Sequence, residues 1–111
     1  HATSTPVGDL NEAKAIAEVF GNHRPYVTST KSQTGHEMWM AGASEVIYSI
    51  LMMNNGFIAP NLNFEEPDEA SALLNIPSRR IETEFDTFLS NSFGFGGTNS
   101  SLIIRKFKEN N

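Results

Sequence analysis

Two histidines, a lysine and a glycine-rich loop carry most of the chemistry open to this chain. His36 lies in "KSQTGHE", residues 31–37, where Thr34 and Glu37 have the spacing of a capping box. That spacing predicts a helix over residues 35–54, with Gly35 and His36 in its first turn. There the unpaired N–H groups and the macrodipole disfavour an imidazolium, so His36 is expected to be neutral and able to donate one hydrogen bond without charge. A histidine packed at a helix start for structure alone has the same pattern. His1 opens "HATSTPVGD" and precedes Thr3, Ser4 and Thr5. These hydroxyls could hydrogen-bond the amides of an extended ligand arm, and the plain alternative is a polar turn before a helix. Lys31 falls at the end of an expected strand, where a buried ammonium needs a partner. Glu12 is the expected one.

The loop "SNSFGFGGTN", residues 90–99, suggests an anion cradle, because glycine-rich loops present backbone N–H groups. The P-loop pattern needs a lysine directly after its last glycine, and "GGTN" has none. A dinucleotide fingerprint would lie between a first strand and a helix, whereas these glycines join two late strands. What remains is a hairpin loop that brings a backbone N–H close to a ligand, with Phe93 and Phe95 as apolar walls, or a tight turn with two core aromatics.

The elements that must position these groups read as follows. Asp9 and Glu12 form a second capping-box spacing, predicting a helix from Leu10 with Leu10, Ala13, Ile16, Ala17 and Phe20 on one face and a stop at Gly21. Residues 26–30 alternate like a short strand. The helix after His36 is apolar in nearly every direction, which implies burial on most sides, more than a lone domain of this size readily provides. Residues 56–64 read as extended with Pro60 at an edge, residues 65–84 as an acidic, proline-punctuated loop, and residues 87–92 and 100–107 as two strands. Helices alternate with strands, so the class is α/β.

The 111 residues, 39% apolar, suit one soluble domain. A net charge of −5 with eight scattered basic residues excludes a nucleic-acid surface. No apolar run approaches the roughly 20 residues of a bilayer span. The expected compartment is the cytoplasm. With no cysteine, the chain itself offers neither disulfide, thiolate metal site nor thiol nucleophile.

In this order, "HATSTPVGD", "KSQTGH" and "NSFGFGGTN" resemble the C-terminal half of a β-ketoacyl-acyl carrier protein synthase, the elongating condensing enzyme of fatty acid synthesis. "STPVGD" and "GFIAP" most resemble the type I enzyme. The resemblance implies a thiolase-like fold, layered α/β/α with a buried central helix, of which residues 1–111 would form the C-terminal half. It also implies a nucleophilic cysteine in an N-terminal half of the same protein, so that this chain would be an inactive fragment alone. His1 and His36 would flank a malonyl thioester carbonyl as catalytic donors. Lys31, supported by Glu12, would hold the network, and the Phe95 N–H would be an oxyanion donor with its ring as a gate. Thr3, Thr5 and Phe93 would bind substrate. Glu45 and Ser90 stand where some members place a structural monovalent cation. Beyond that the resemblance implies no cofactor, substrates carried on the phosphopantetheine of acyl carrier protein as partner, and a homodimer.

The family usually reads Gly-His-x-Leu-Gly-Ala-Ala-Gly, and "GHEMWMAG" puts Trp39 and Met40 where Gly and Ala are expected. That added volume demands a compensating change nearby. Ala2 replaces a common glycine. A non-catalytic chain-length-factor-like subunit is the alternative, although such subunits usually erode the histidines kept here. Chain-length preference is not legible.

Overall fold

The structure, a computed structural model, describes residues 1–109. Helix α1 spans Pro6–Phe20, a full turn earlier than the Asp9 signal predicts. Proline takes the first helical position, where its fixed φ is suitable and its missing N–H costs nothing. Thr5, with extended backbone, is the residue before it, and its carbonyl accepts the Asp9 N–H at 2.9 Å. Gly21, at φ 55°, ends the helix.

The long helix expected from residue 35 is divided. A four-residue α2, Lys31–Thr34, stops at Gly35, whose φ of 73° few other residues adopt. A 3-10 turn, Met38–Met40, follows, and only then α3, Ala41–Asn55. The Thr34–Glu37 box does not form: the Thr34 hydroxyl donates to main-chain oxygens of Thr30 and Gly35, and Glu37 turns to Tyr48. His36 therefore sits in the link between α2 and the 3-10 turn, not in the first turn of a helix.

Residues 26–30 make one parallel bridge, Tyr26 to Asn75, in place of a strand. The short β1 (Phe57–Ile58) pairs antiparallel with β2 (Ile81–Glu82). The hairpin of β3 (Thr87–Phe93) and β4 (Asn99–Arg105) matches the sequence reading closely, with Phe93 opposite Asn99 and the glycines between them. α3 packs against β3 where Gly42 meets Ser92; a Cβ on Gly42 would lie 3.1 Å from the Ser92 hydroxyl oxygen. The described core is small: Ala13, Ala41, Met52, Met53, Ile58 and Ala70. The central helix is buried on one side only, since Ile47 and Leu51 are 55% and 51% exposed. α3 thus packs on β1 and β3 with its other face left open.

Candidate active site

Three segments converge on His1. Glu12, next to the buried Ala13 on α1, reaches back and accepts hydrogen bonds from the main-chain nitrogens of His1 and Ala2, both at 2.8 Å. The His1 nitrogen is an ammonium at the end of this chain, and an amide N–H would make the same bond. The clamp bends the following loop sharply, with Ala2 at φ 35° and Ser4 at φ 63°. A positive φ is what a glycine tolerates, so Ala2 replaces the common glycine at a cost of about 1 kcal/mol. From β3, the Phe93 N–H donates to His1 Nδ1 at 3.3 Å, and the two rings lie 5.6 Å apart. Phe93 thus orients His1 besides forming a wall.

His36 arrives from the other side. Its ring centroid is 5.7 Å from that of His1, perpendicular to it. Its Nδ1 accepts the Met38 N–H at 3.1 Å. Met38 is at φ 55°, a left-handed conformation costing about 1 kcal/mol or more for a side-chain-bearing residue. In both rings Nδ1 accepts a backbone N–H, which turns Nε2 away from the main chain.

Lys31 does not pair with Glu12. Its Nζ meets both carboxylate oxygens of Glu45 on α3, one at 3.0 Å, with the lysine side chain only 7% exposed. Glu12 is committed to the His1–Ala2 main chain, which corrects its assignment to the lysine. The same pair argues against the cation reading of Glu45 and Ser90. An ammonium already neutralises Glu45, while Ser90 faces a 520 Å³ open groove with Gly42, Ala43, Val46, Ile47, Ser92, Ser100 and Leu102, none of them acidic.

Thr3 and Thr5 bring their hydroxyl oxygens within 3.5 Å of each other beside the site. A Cβ on Gly8 would lie 2.4 Å from the Thr5 hydroxyl, so that glycine makes room for it. In the 94–98 loop, Gly94 donates to the Thr98 carbonyl at 2.8 Å, Gly96 and Gly97 take φ of 82° and 84°, and Phe95 projects wholly into solvent. Trp39 is likewise fully exposed and Met40 largely so. Their added volume meets no compensating change among the described residues because it does not enter their packing.

Sequence reasoning missed Glu37. Tyr48 donates to its Oε1 at 2.8 Å. Ser44 and Tyr48, then Lys31, hold its carboxyl below the usual carboxylate range, although Oε2 is buried and has no hydrogen-bond partner among the described residues. Tyr48 is pushed up by that same carboxylate and remains a donor. The i, i+11 spacing across a turn and a helix carries no periodic signal.

The two imidazoles thus meet beside the end of β3, while the buried Lys31–Glu45 pair ties α2 to α3. Residues 1–65 match the family model described as the β-ketoacyl synthase, C-terminal domain, and the chain belongs to that family. It is 54% identical over 109 residues to 3-oxoacyl-[acyl-carrier-protein] synthase 1 of Escherichia coli K12 and 52% identical over 108 to that of Haemophilus influenzae, matching 98% and 96% of this chain and 27% of each relative. A β-ketoacyl synthase crystal structure from Burkholderia phymatum superposes with a TM-score of 0.90 at 40% identity, over 97% of this chain and 26% of that one. A type II polyketide ketosynthase solved in complex with its acyl-carrier protein gives 0.86 at 31% identity, over 97% and 27%. The chain therefore spans about a quarter of the length of the relatives it matches.

Proposed function

We propose that this chain supplies the two-histidine portion of a β-ketoacyl-acyl carrier protein synthase, an acyltransferase of fatty acid biosynthesis, working with polypeptide beyond these residues that carries the nucleophilic cysteine. The carrying observation is the pair of rings 5.7 Å apart, each with Nδ1 taken by a backbone N–H. The lack of any cysteine, the quarter-length match and the uncovered face of α3 support a larger whole.

An acyl group first passes from its carrier thioester to the cysteine sulfur, releasing the carrier thiol. Malonyl carrier then enters with its thioester oxygen facing the two Nε2–H donors. As the bond between the malonyl α-carbon and its carboxyl breaks, carbon dioxide leaves and negative charge moves onto that oxygen. Two fixed, uncharged donors stabilise it without reorganisation, as in an oxyanion hole. The enolate carbon then attacks the acyl carbonyl, whose oxygen accepts a hydrogen bond from the Phe95 N–H, and the cysteine thiolate departs. Lys31 and Glu45 hold α2 to α3 and so set the approach of His36. Thr3 and Thr5 bond the phosphopantetheine amides, for which the hydroxyl pair beside His1 is suited. The carrier seen with a related ketosynthase supports acyl carrier protein as partner. Retention of both histidines and Lys31 favours this over a chain-length-factor role.

In the complete enzyme, His1→Ala and His36→Ala should each slow release of carbon dioxide from malonyl carrier about 10²- to 10³-fold, the loss typical of one oxyanion donor. Acyl transfer to the cysteine should persist. Wild-type decarboxylation by either variant overturns the reading.

A further inference from the structure

We propose that Glu37 and Tyr48 are positioning residues for His36: their hydrogen bond ties the 36–38 turn to α3 and so holds the strained residue whose N–H fixes the imidazole. The inference rests on the role given to His36 above. The Tyr48 hydroxyl donates to Glu37 Oε1 at 2.8 Å in a part-buried setting. Glu37 stands between His36 and Met38, and Met38, at φ 55°, donates its N–H to His36 Nδ1. Left alone, a methionine would leave that conformation and withdraw the donor.

Little else restrains this link. Gly35 has an unhindered backbone, His36 is exposed, and the Met40 N–H reaches the Glu37 carbonyl only at 3.4 Å. Among the described residues, the Glu37 carboxylate is the one side-chain group of residues 35–40 that bonds another element. The depressed carboxyl keeps it an ionised acceptor and the raised phenol keeps Tyr48 a donor, so the tether persists across neutral pH.

The test uses the complete enzyme and malonyl carrier decarboxylation. Glu37→Ala and Tyr48→Phe should each lower kcat about tenfold with KM nearly unchanged, since a catalytic group out of place by a fraction of an ångström loses rate rather than affinity. Glu37→Gln, which still accepts from Tyr48, should retain most of the rate. Adding Met38→Gly to Glu37→Ala should restore much of what was lost, because glycine takes φ 55° without strain. In 15N spectra, His36 Nδ1 should lose its acceptor signature in Glu37→Ala and keep it in Glu37→Gln. Equal rates for wild type and Glu37→Ala, or equal losses for the Gln and Ala variants, overturn the tether. A harmless His36→Ala would instead overturn the functional reading beneath it.

Discussion

Residues 1–111 expressed alone should fail to melt cooperatively. A monomer of 12.2 kDa ordinarily exposes about 6,100 Å². This chain exposes 8097 Å². The surplus of about 2,000 Å² is comparable with one side of a large obligate interface. With just over half of it apolar, at about 25 cal/mol per Å², leaving it in water forgoes roughly 25–30 kcal/mol of burial. That exceeds the ~5–15 kcal/mol by which a domain is normally stable. The surface is specific: Ile47 and Leu51 on α3, Leu102 and Ile103 on β4, Trp39 in the 3-10 turn and Phe95 in the hairpin loop. Scanning calorimetry of the isolated chain should show a broad transition with an enthalpy far below the roughly 75 kcal/mol expected of a cooperative domain this long, and the chain should bind a hydrophobic dye before heating. A sharp transition of full enthalpy without dye binding would refute the reasoning.

Two further outcomes follow from local geometry. Lys31→Ala in the complete enzyme leaves Glu45 unpaired at 17% exposure, and should cost about 2–4 kcal/mol, somewhat under the loss for a wholly buried pair. The Lys31→Ala, Glu45→Ala double variant should recover at least half of that in a denaturation series; additive losses would show that the pair is not coupled. Gly8→Ala should displace the Thr5 hydroxyl and raise KM for the carrier substrate several-fold with kcat nearly constant; an unchanged KM would remove Thr5 from arm binding.

The hairpin was legible because alternation, β-branched residues and a glycine loop all point the same way, and β3 and β4 pair as that pattern requires. The capping boxes misled for a physical reason. A Thr-x-x-Glu spacing describes side chains that can satisfy two N–H groups, but Gly35 and Met38 break the helix on either side of His36, and each glutamate finds a longer-range partner. Glu12 binds the chain ten and eleven residues before it, and Glu37 binds eleven residues ahead. No local pattern encodes such reach. Likewise Lys31 pairs with Glu45, fourteen residues on, because its long side chain reaches from α2 to α3. His36 was expected at a helix start, whereas it lies in the link before the 3-10 turn, where its Nδ1 accepts the Met38 N–H. The convergence of His1 with His36 came from motif resemblance, since no periodicity connects residues thirty-five positions apart.

The central claim is that both imidazoles present Nε2–H to the same oxygen while uncharged. Histidine 15N chemical shifts of the complete enzyme at neutral pH test it directly. Protonated Nε2 and unprotonated Nδ1 in both His1 and His36 are the predicted result. An Nδ1–H tautomer or an imidazolium in either ring would contradict the account.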